Sequence, residues 1–405
     1  MSDLYQYFRY YICESLFYIN ISFILGIAFL WWLISQVIIG YIYILFICLL
    51  SKVLPFTWLK YFVKKVTGIC LRTVQIPEKD LTGKVCIVTG GASGIGKEIS
   101  TVLVAYGASV IIADNNKEQG VITAFSINTL RGNTYGYAKY MYIDLANADT
   151  IKSFVKRFIY DYDRLDILIN NAGIGLNNQI SSDLSLSYVF QTNYIGTFLL
   201  TESLIPLLNA TLGSRVVNTC SPIHRILGSN LKKIIKYAEI PSIQSYGASK
   251  AAILLYSLKL RRTALGLSQL PSTPSSERKV QLNTYHTWCT CVNPGSVITN
   301  IFPNKFPFNI LKLFSFAFLN IKKGAQTTIY AALCSEEKAT LYLSPYWLPG
   351  KGSWILDQYA DFLSVYIGPY PAIPSLDDKA SVAAEYLYDW TQAKINKLNM
   401  QDRTM

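Results

Sequence analysis

Tyr246 and Lys250 stand four residues apart at the head of the apolar run 251–260. That spacing puts both side chains on one helix face. A free tyrosine titrates near pH ~10 and is a poor proton donor or acceptor at neutrality. A fixed ammonium beside it stabilises the phenolate and lowers that pKa. The pair is therefore an acid/base device suited to moving a proton on and off an alcohol. The spacing alone also describes many solvated helix faces, so its meaning depends on the rest of the chain. A second group of residues supplies a context. Thr89-Gly90-Gly-Ala-Ser93-Gly94-Ile95-Gly96 follows the short apolar run 84–89 and precedes a helical stretch, 97–107, that ends on a glycine. Strand, glycine loop and helix form a phosphate cradle. Gly90 permits the turn, Gly94 lets backbone approach a pyrophosphate, Gly96 lets the helix pack closely, and the helix N-terminus offers positive partial charge. The next apolar run, 108–113, ends on Asp114. A carboxylate there can accept hydrogen bonds from ribose hydroxyls and would repel a 2′-phosphate, so NAD is favoured over NADP. Lys117, three residues on, weakens that preference.

These residues need elements to hold them. A helix is expected over 117–130 and a strand near 140–143, leading to Asp144 and Leu145. A helix follows at 151–160, then a buried strand at 165–169 that runs into Asn170-Asn171-Ala172-Gly173. Small residues there leave room for a flat ligand at the carboxyl edge of a sheet. A helical run at 191–200, a strand at 214–221, the helix opened by Tyr246 and a strand at 287–292 continue the alternation. Alternating β and α segments predict an α/β, Rossmann-type doubly wound parallel sheet. A last strand is expected at 352–357 and a final amphipathic helix at 378–395.

The order and spacing of Thr89-Gly90-x-x-x-Gly94-x-Gly96, Asn170-Asn-Ala-Gly173 and Tyr246-x-x-x-Lys250 resemble the short-chain dehydrogenase/reductase superfamily over residues 81–357. Within it the chain looks like the membrane-anchored retinol dehydrogenase-like group. Val110-Ile-Ile-Ala-Asp-Asn-Asn116 is similar to the matching strand of the polyprenol dehydrogenase branch. The resemblance implies a catalytic set of Asn193, Ser221, Tyr246 and Lys250. Asn193 would hold a water in the proton relay, and Ser221 would bind the substrate oxygen. The family usually carries two serines where this chain has Cys220-Ser221. The resemblance also implies cofactor contacts at Gly90, Ser93, Gly94, Ile95, Gly96, Asp114, Asp144, Leu145, Asn171, Ala172, Gly173, Tyr246, Lys250, Pro294, Gly295, Val297 and Thr299. The implied activity is NAD(P)-dependent interconversion of a lipophilic alcohol of retinoid, polyisoprenoid or sterol type with its aldehyde or ketone. A catalytically idle, membrane-tethered scaffold of the same fold is the alternative. His224 invites a hydrolase reading with Ser221, but a spacing of three on a loop after a strand gives no reason for a triad. It is read as a histidine behind the site or lining the substrate pocket. The segment 231–238 is expected to form a flap over the site. The Pro/Ser-rich stretch 270–279 is expected to be a mobile loop. The apolar stretch 302–319 is expected to cover substrate, rest on a bilayer or form a plain core helix.

Composition sets the outer limits. The chain has 405 residues and a net charge of +12, with no run of like charges and no nucleic-acid motif. Part of the excess is read as a membrane-surface feature. Eight cysteines lack paired spacing, and with two histidines there is no zinc-ligand pattern, so no metal is expected. Reduced thiols facing the cytosol fit this usage. Residues 15–51 carry no charged side chain. A bilayer span needs about 20 apolar residues, so this is one long span or a hairpin of two. The downstream flank has Lys52, Lys60, Lys64, Lys65 and Arg72, against Arg9 upstream, which keeps the C-terminal side cytosolic. The expected organisation is an anchor with basic flank at 1–75, an NAD(P)-binding domain at 76–360 and a helical tail at 361–405. The expected location is the endoplasmic reticulum membrane. The expected partners are a lipophilic small molecule and the lipid bilayer, with no nucleic acid. Because the family often forms dimers, a homodimer is among the expected assemblies.

Overall fold

The computed structural model describes residues 76–130, 135–175, 177–181, 184–266, 287–295, 297, 320–335, 341–344, 370–371 and 379–401. All of these belong to the compact unit Arg72–Met405. Strand β1 (Val85–Thr89) is buried along its whole length. This is what a continuous apolar run gives at the centre of a parallel sheet with both faces covered. Its side chains alternate between two cores. Cys86 and Val88 join one, and Val85 and Ile87 the other. Then follow α1 (Gly94–Ala105), β2 (Ser109–Asp114), α2 (Lys117–Leu130), β3 (Tyr137–Tyr142), α3 (Ala148–Asp161) and β4 (Ile167–Asn170). Helix α3 starts at Asn147, whose side chain accepts from the N–H groups of Asp149 and Thr150. It buries Ile151, Phe154, Val155 and Phe158, the apolar stripe of a helix lying on a sheet.

The second half begins with a single helical turn at Tyr188–Phe190 and a wider π-helical turn at Gln191–Ile195, which run into α4 (Gly196–Ala210). Strand β5 (Arg215–Thr219) leads through a 3-10 turn (Pro222–Ile226) to α5 (Leu231–Glu239) and α6 (Ile243–Ala264). Ser242 and Ser245 form a reciprocal capping box at the start of α6, so this long helix begins one turn before Tyr246. The described chain ends with β6 (Trp288–Val292), α7 (Ile321–Leu333), β7 (Tyr342–Ser344), β8 (Tyr370–Pro371) and α8 (Ala380–Gln401).

The eight strands form one sheet in the order β3-β2-β1-β4-β5-β6-β7-β8. Every pair is parallel except β7 with β8. Helices α1, α2 and α7 fill one face, and α3 and α4 pack on the other, where α6 and α8 extend a third core. The strand order reverses between β1 and β4, so the loops after these strands diverge and leave a crevice at the carboxyl edge.

The expected doubly wound sheet is present, with differences. Helix α1 starts at Gly94, within the glycine loop. Strands β7 and β8 had no sequence signal, being three and two residues long. The expected flap at 231–238 is a helix docked beside α6, with Ile234 and Ala238 buried against it. The anchor, the loop at 270–279, the apolar stretch at 302–319, the strand at 352–357 and Thr299 all lie outside the described residues. Among the described residues no helix is long and apolar enough to cross a membrane.

Candidate active site

The crevice is built first from backbone. Gly90 has φ of 65°, which a glycine adopts without strain. A side chain on Gly96 would strike the Gly90 carbonyl oxygen and come to 2.7 Å from Asn171 Nδ2. The first turn of α1 is therefore drawn against the loop after β4. Thr89 joins the two: its hydroxyl accepts the N–H groups of Asn171 (3.0 Å) and Ala172 (3.1 Å), and its carbonyl accepts from Asn171 Nδ2 at 3.1 Å. Gly90, Gly94, Gly96, Asn171 and Ala172 are thus one rigid cradle beneath a helix N-terminus. Ser93 is exposed at the N-cap and Ile95 is partly buried against the core. Asp114 closes the far side. Its carboxylate accepts from the Ala92 N–H and the Asn116 N–H, each at 3.0 Å, and remains partly exposed. A cradle that bars side chains, a helix N-terminus and a carboxylate at the end of β2 suit a dinucleotide.

The chemistry-bearing residues meet beyond the ends of β4, β5 and α6. The Ser221 side chain stands close enough to the Tyr246 hydroxyl to stabilise its charged form. Lys250 Nζ lies 5.6 Å from the Tyr246 ring centre and donates to the Thr219 carbonyl at 2.9 Å. A Cβ on Gly173 would sit 3.3 Å from Asn193 Oδ1 and 3.5 Å from Lys250 Nζ, so these three converge. Asn193 spends its amide on structure. Oδ1 accepts the Ile174 N–H at 2.8 Å, and Nδ2 donates to the Ile174 carbonyl (2.9 Å) and to Ser249 Oγ (3.1 Å). Ser249 Oγ in turn donates to the Tyr246 carbonyl at 2.8 Å. The Asn193 side chain thereby fastens the loop after β4 to the helix that carries Tyr246 and Lys250.

Lys250 is expected to lower the Tyr246 pKa, but burial sets the net direction. Burial pushes the phenol up to about 12, offset in part by the nearby Ser221 side chain. Burial also pushes the Lys250 ammonium down. Both shifts have one cause, since a dry site disfavours either charged form.

The remaining expected contacts are less convergent. Leu145 has its side chain in the core, and Asp144 accepts from the Ala146 N–H at 2.9 Å. Beyond β6, Gly295 takes φ of 80° and donates its N–H to Asn293 Oδ1 at 2.9 Å; Pro294 is partly buried, and Val297 is buried. His224 Nδ1 lies 2.6 Å from the Ser221 carbonyl oxygen, a donor position that offers no base for a triad. Sequence reasoning missed the clamping roles of Thr89 and Ser249. The strand-ending threonine before the glycines was a visible signal for the first; the second had none. Among the described residues no His, Cys, Asp or Glu cluster could hold a metal.

The profile of the short chain dehydrogenase family matches residues 84–265. Retinol dehydrogenase 12 of Mus musculus is 31% identical over 270 residues, which cover 66% of this chain and 78% of the relative. Polyprenol dehydrogenase of Danio rerio is 33% identical over 280 residues, which cover 65% and 78%. An uncharacterized protein from Mycobacterium paratuberculosis superposes with a TM-score of 0.53 at 20% identity, over 77% of this chain and 94% of that one, a likeness of fold.

Proposed function

This chain belongs to the short-chain dehydrogenase family, and from that premise we propose that it is a membrane-anchored enzyme interconverting a lipophilic alcohol of retinoid, polyisoprenoid or sterol type with its aldehyde or ketone. The coarse activity follows from the family: it is an NAD(P)-dependent oxidoreductase acting on CH–OH groups. The observation that carries the alcohol–carbonyl chemistry is the meeting of Ser221, Tyr246 and Lys250 beside the glycine cradle. The lipid class rests on relatives named for retinol and polyprenol. The assignment of 1–75 to an anchor, with the catalytic domain at 76–360 on the cytosolic side and a tail at 361–405, rests on the uncharged run 15–51 and its basic flank.

The cradle residues would hold the dinucleotide: Gly90, Gly94 and Gly96 at the pyrophosphate, Asp114 at the adenosine ribose, and Lys250 toward the nicotinamide ribose. When bound, the nicotinamide ring supplies the hydride acceptor or donor. The chain manages the proton. Ser221 orients the substrate oxygen, and Tyr246 takes the hydroxyl proton in oxidation or returns it in reduction. Lys250 offsets the phenolate charge once the site is assembled. Asn193 keeps the loop at Ile174 in register with α6.

Fluorescence titration of the detergent-solubilised full chain with NADH and NADPH tests the cofactor assignment. Tighter NADH binding, with the preference lost in Asp114→Ala, is the expected result. Tighter NADPH binding would mean that Asp114 does not serve the ribose and that a cation such as Lys117 reads the phosphate. Turnover on a panel of lipid alcohols tests the substrate class. Cofactor binding with no turnover on that panel would favour the idle scaffold.

A further inference from the structure

The turn after β5 holds a buried imidazole and a buried thiol that the proton chemistry does not use. His224 has no exposed surface and Cys220 is 2% exposed. His224 Nδ1 stands 2.6 Å from the Ser221 carbonyl oxygen, so that nitrogen carries the hydrogen and donates it. The His224 backbone N–H reaches the same oxygen at 3.2 Å. One residue therefore supplies two donors to one acceptor. The His224 carbonyl accepts from Leu227 (3.2 Å) and Gly228 (2.9 Å), which closes the turn. Cys220 Sγ lies 3.6 Å from His224 Nδ1 and donates to the Lys250 carbonyl at 3.4 Å, while its N–H bonds the Val292 carbonyl at 2.7 Å.

We propose that His224, with Cys220 beside it, is a positioning residue that locks the backbone of Ser221 relative to α6 and so aims the Ser221 hydroxyl at the reacting oxygen. This rests on the reading of Ser221 given above. Ser221 is the hinge between the end of β5 and the 3-10 turn, with extended φ and ψ of −154° and 152°. A rotation about its backbone would swing the hydroxyl away from Tyr246 without breaking the fold. The imidazole prevents that rotation from beneath the turn, and the thiol ties the same point to the Lys250 backbone. The lock acts by geometry. His224 Nδ1 faces the Ser221 carbonyl and Cys220, and the lock asks no proton transfer of it.

The test compares three variants of the full chain in detergent: His224→Ala, His224→Asn and His224→Gln. The Asn amide reaches the place of Nδ1, and the Gln amide reaches the place of Nε2. A misplacement near 1 Å costs on the order of a hundredfold in rate. The Ala and Gln variants should lose about tenfold to a hundredfold in kcat, with KM and cofactor Kd nearly unchanged, while Asn keeps kcat within about threefold. Equal kcat in Asn and Gln, or a wild-type kcat in Ala, would overturn the proposal and leave His224 as a space-filling group. If the Ala variant fails to fold, the Asn-against-Gln comparison decides. Wild-type protein that binds cofactor but turns over no lipid alcohol would sink the parent reading and this one with it. An active wild type with indifferent variants sinks this one alone.

Discussion

Tyr246 illustrates how little a residue's spacing says about its state. The four-residue interval to Lys250 is read directly from the chain, and the two side chains do meet, with Nζ 5.6 Å from the ring centre. Yet the phenol is pushed up to about 12 by burial. Alcohol oxidation needs the phenolate as proton acceptor, so its rate should rise with pH across about 6 to 10. Carbonyl reduction needs the phenol, which is fully present below the raised pKa, so its rate should stay flat over that range and fall only above it. Rate profiles measured in both directions check this, and opposite trends would remove Tyr246 from the proton transfer. Tyr246→Phe should lower turnover by about 10²- to 10⁴-fold with cofactor affinity largely kept. Residual activity near wild type would sink the assignment.

Among the elements, the cradle is legible in the sequence, because each glycine has a local steric reason. The Gly96 position bars a Cβ through the Gly90 carbonyl and Asn171. Gly96→Ala should therefore push α1 away from the loop after β4. The expected cost is about 1–3 kcal/mol of stability, as for overpacking elsewhere. It should appear as a lower melting temperature together with at least about tenfold weaker dinucleotide binding. Unchanged binding would mean that α1 does not approach the pyrophosphate. Less legible are elements whose existence depends on neighbours. The segment 231–238 reads as a flap by length, but Ile234 and Ala238 find the side of α6 and bury there. Strands β7 and β8 are too short to carry a pattern, and exist because β6 offers β7 an edge to pair with, and β7 in turn offers one to β8.

At the scale of the molecule, α8 returns to the face formed by α4 and α6. Glu202 accepts from Tyr256 (2.8 Å) and Tyr388 (2.9 Å), and Lys259 pairs with Glu385 at 2.6 Å. The final helix thus braces the helix that carries Tyr246 and Lys250. The chain begins, in contrast, with the uncharged run 15–51. Deleting residues 1–75 should move the protein from the membrane pellet to the supernatant in cell fractionation, with NADH binding retained. A deleted form that stays in the pellet would show that another surface holds the membrane. The order of residues along the chain sets what is local and periodic: the β/α alternation, the glycine cradle, the order of the motifs, and the residues Asn193, Ser221, Tyr246 and Lys250 as candidates. These are legible because strand and helix periods and glycine's steric freedom act between near neighbours in the chain. Tertiary packing alone decides that Asn193 spends its amide on Ile174 and Ser249, that His224 and Cys220 grip the turn at Ser221, and that burial shifts the Tyr246 pKa up and the Lys250 pKa down. Those outcomes depend on water being excluded and on groups distant in sequence being brought together, and no spacing along the chain encodes either.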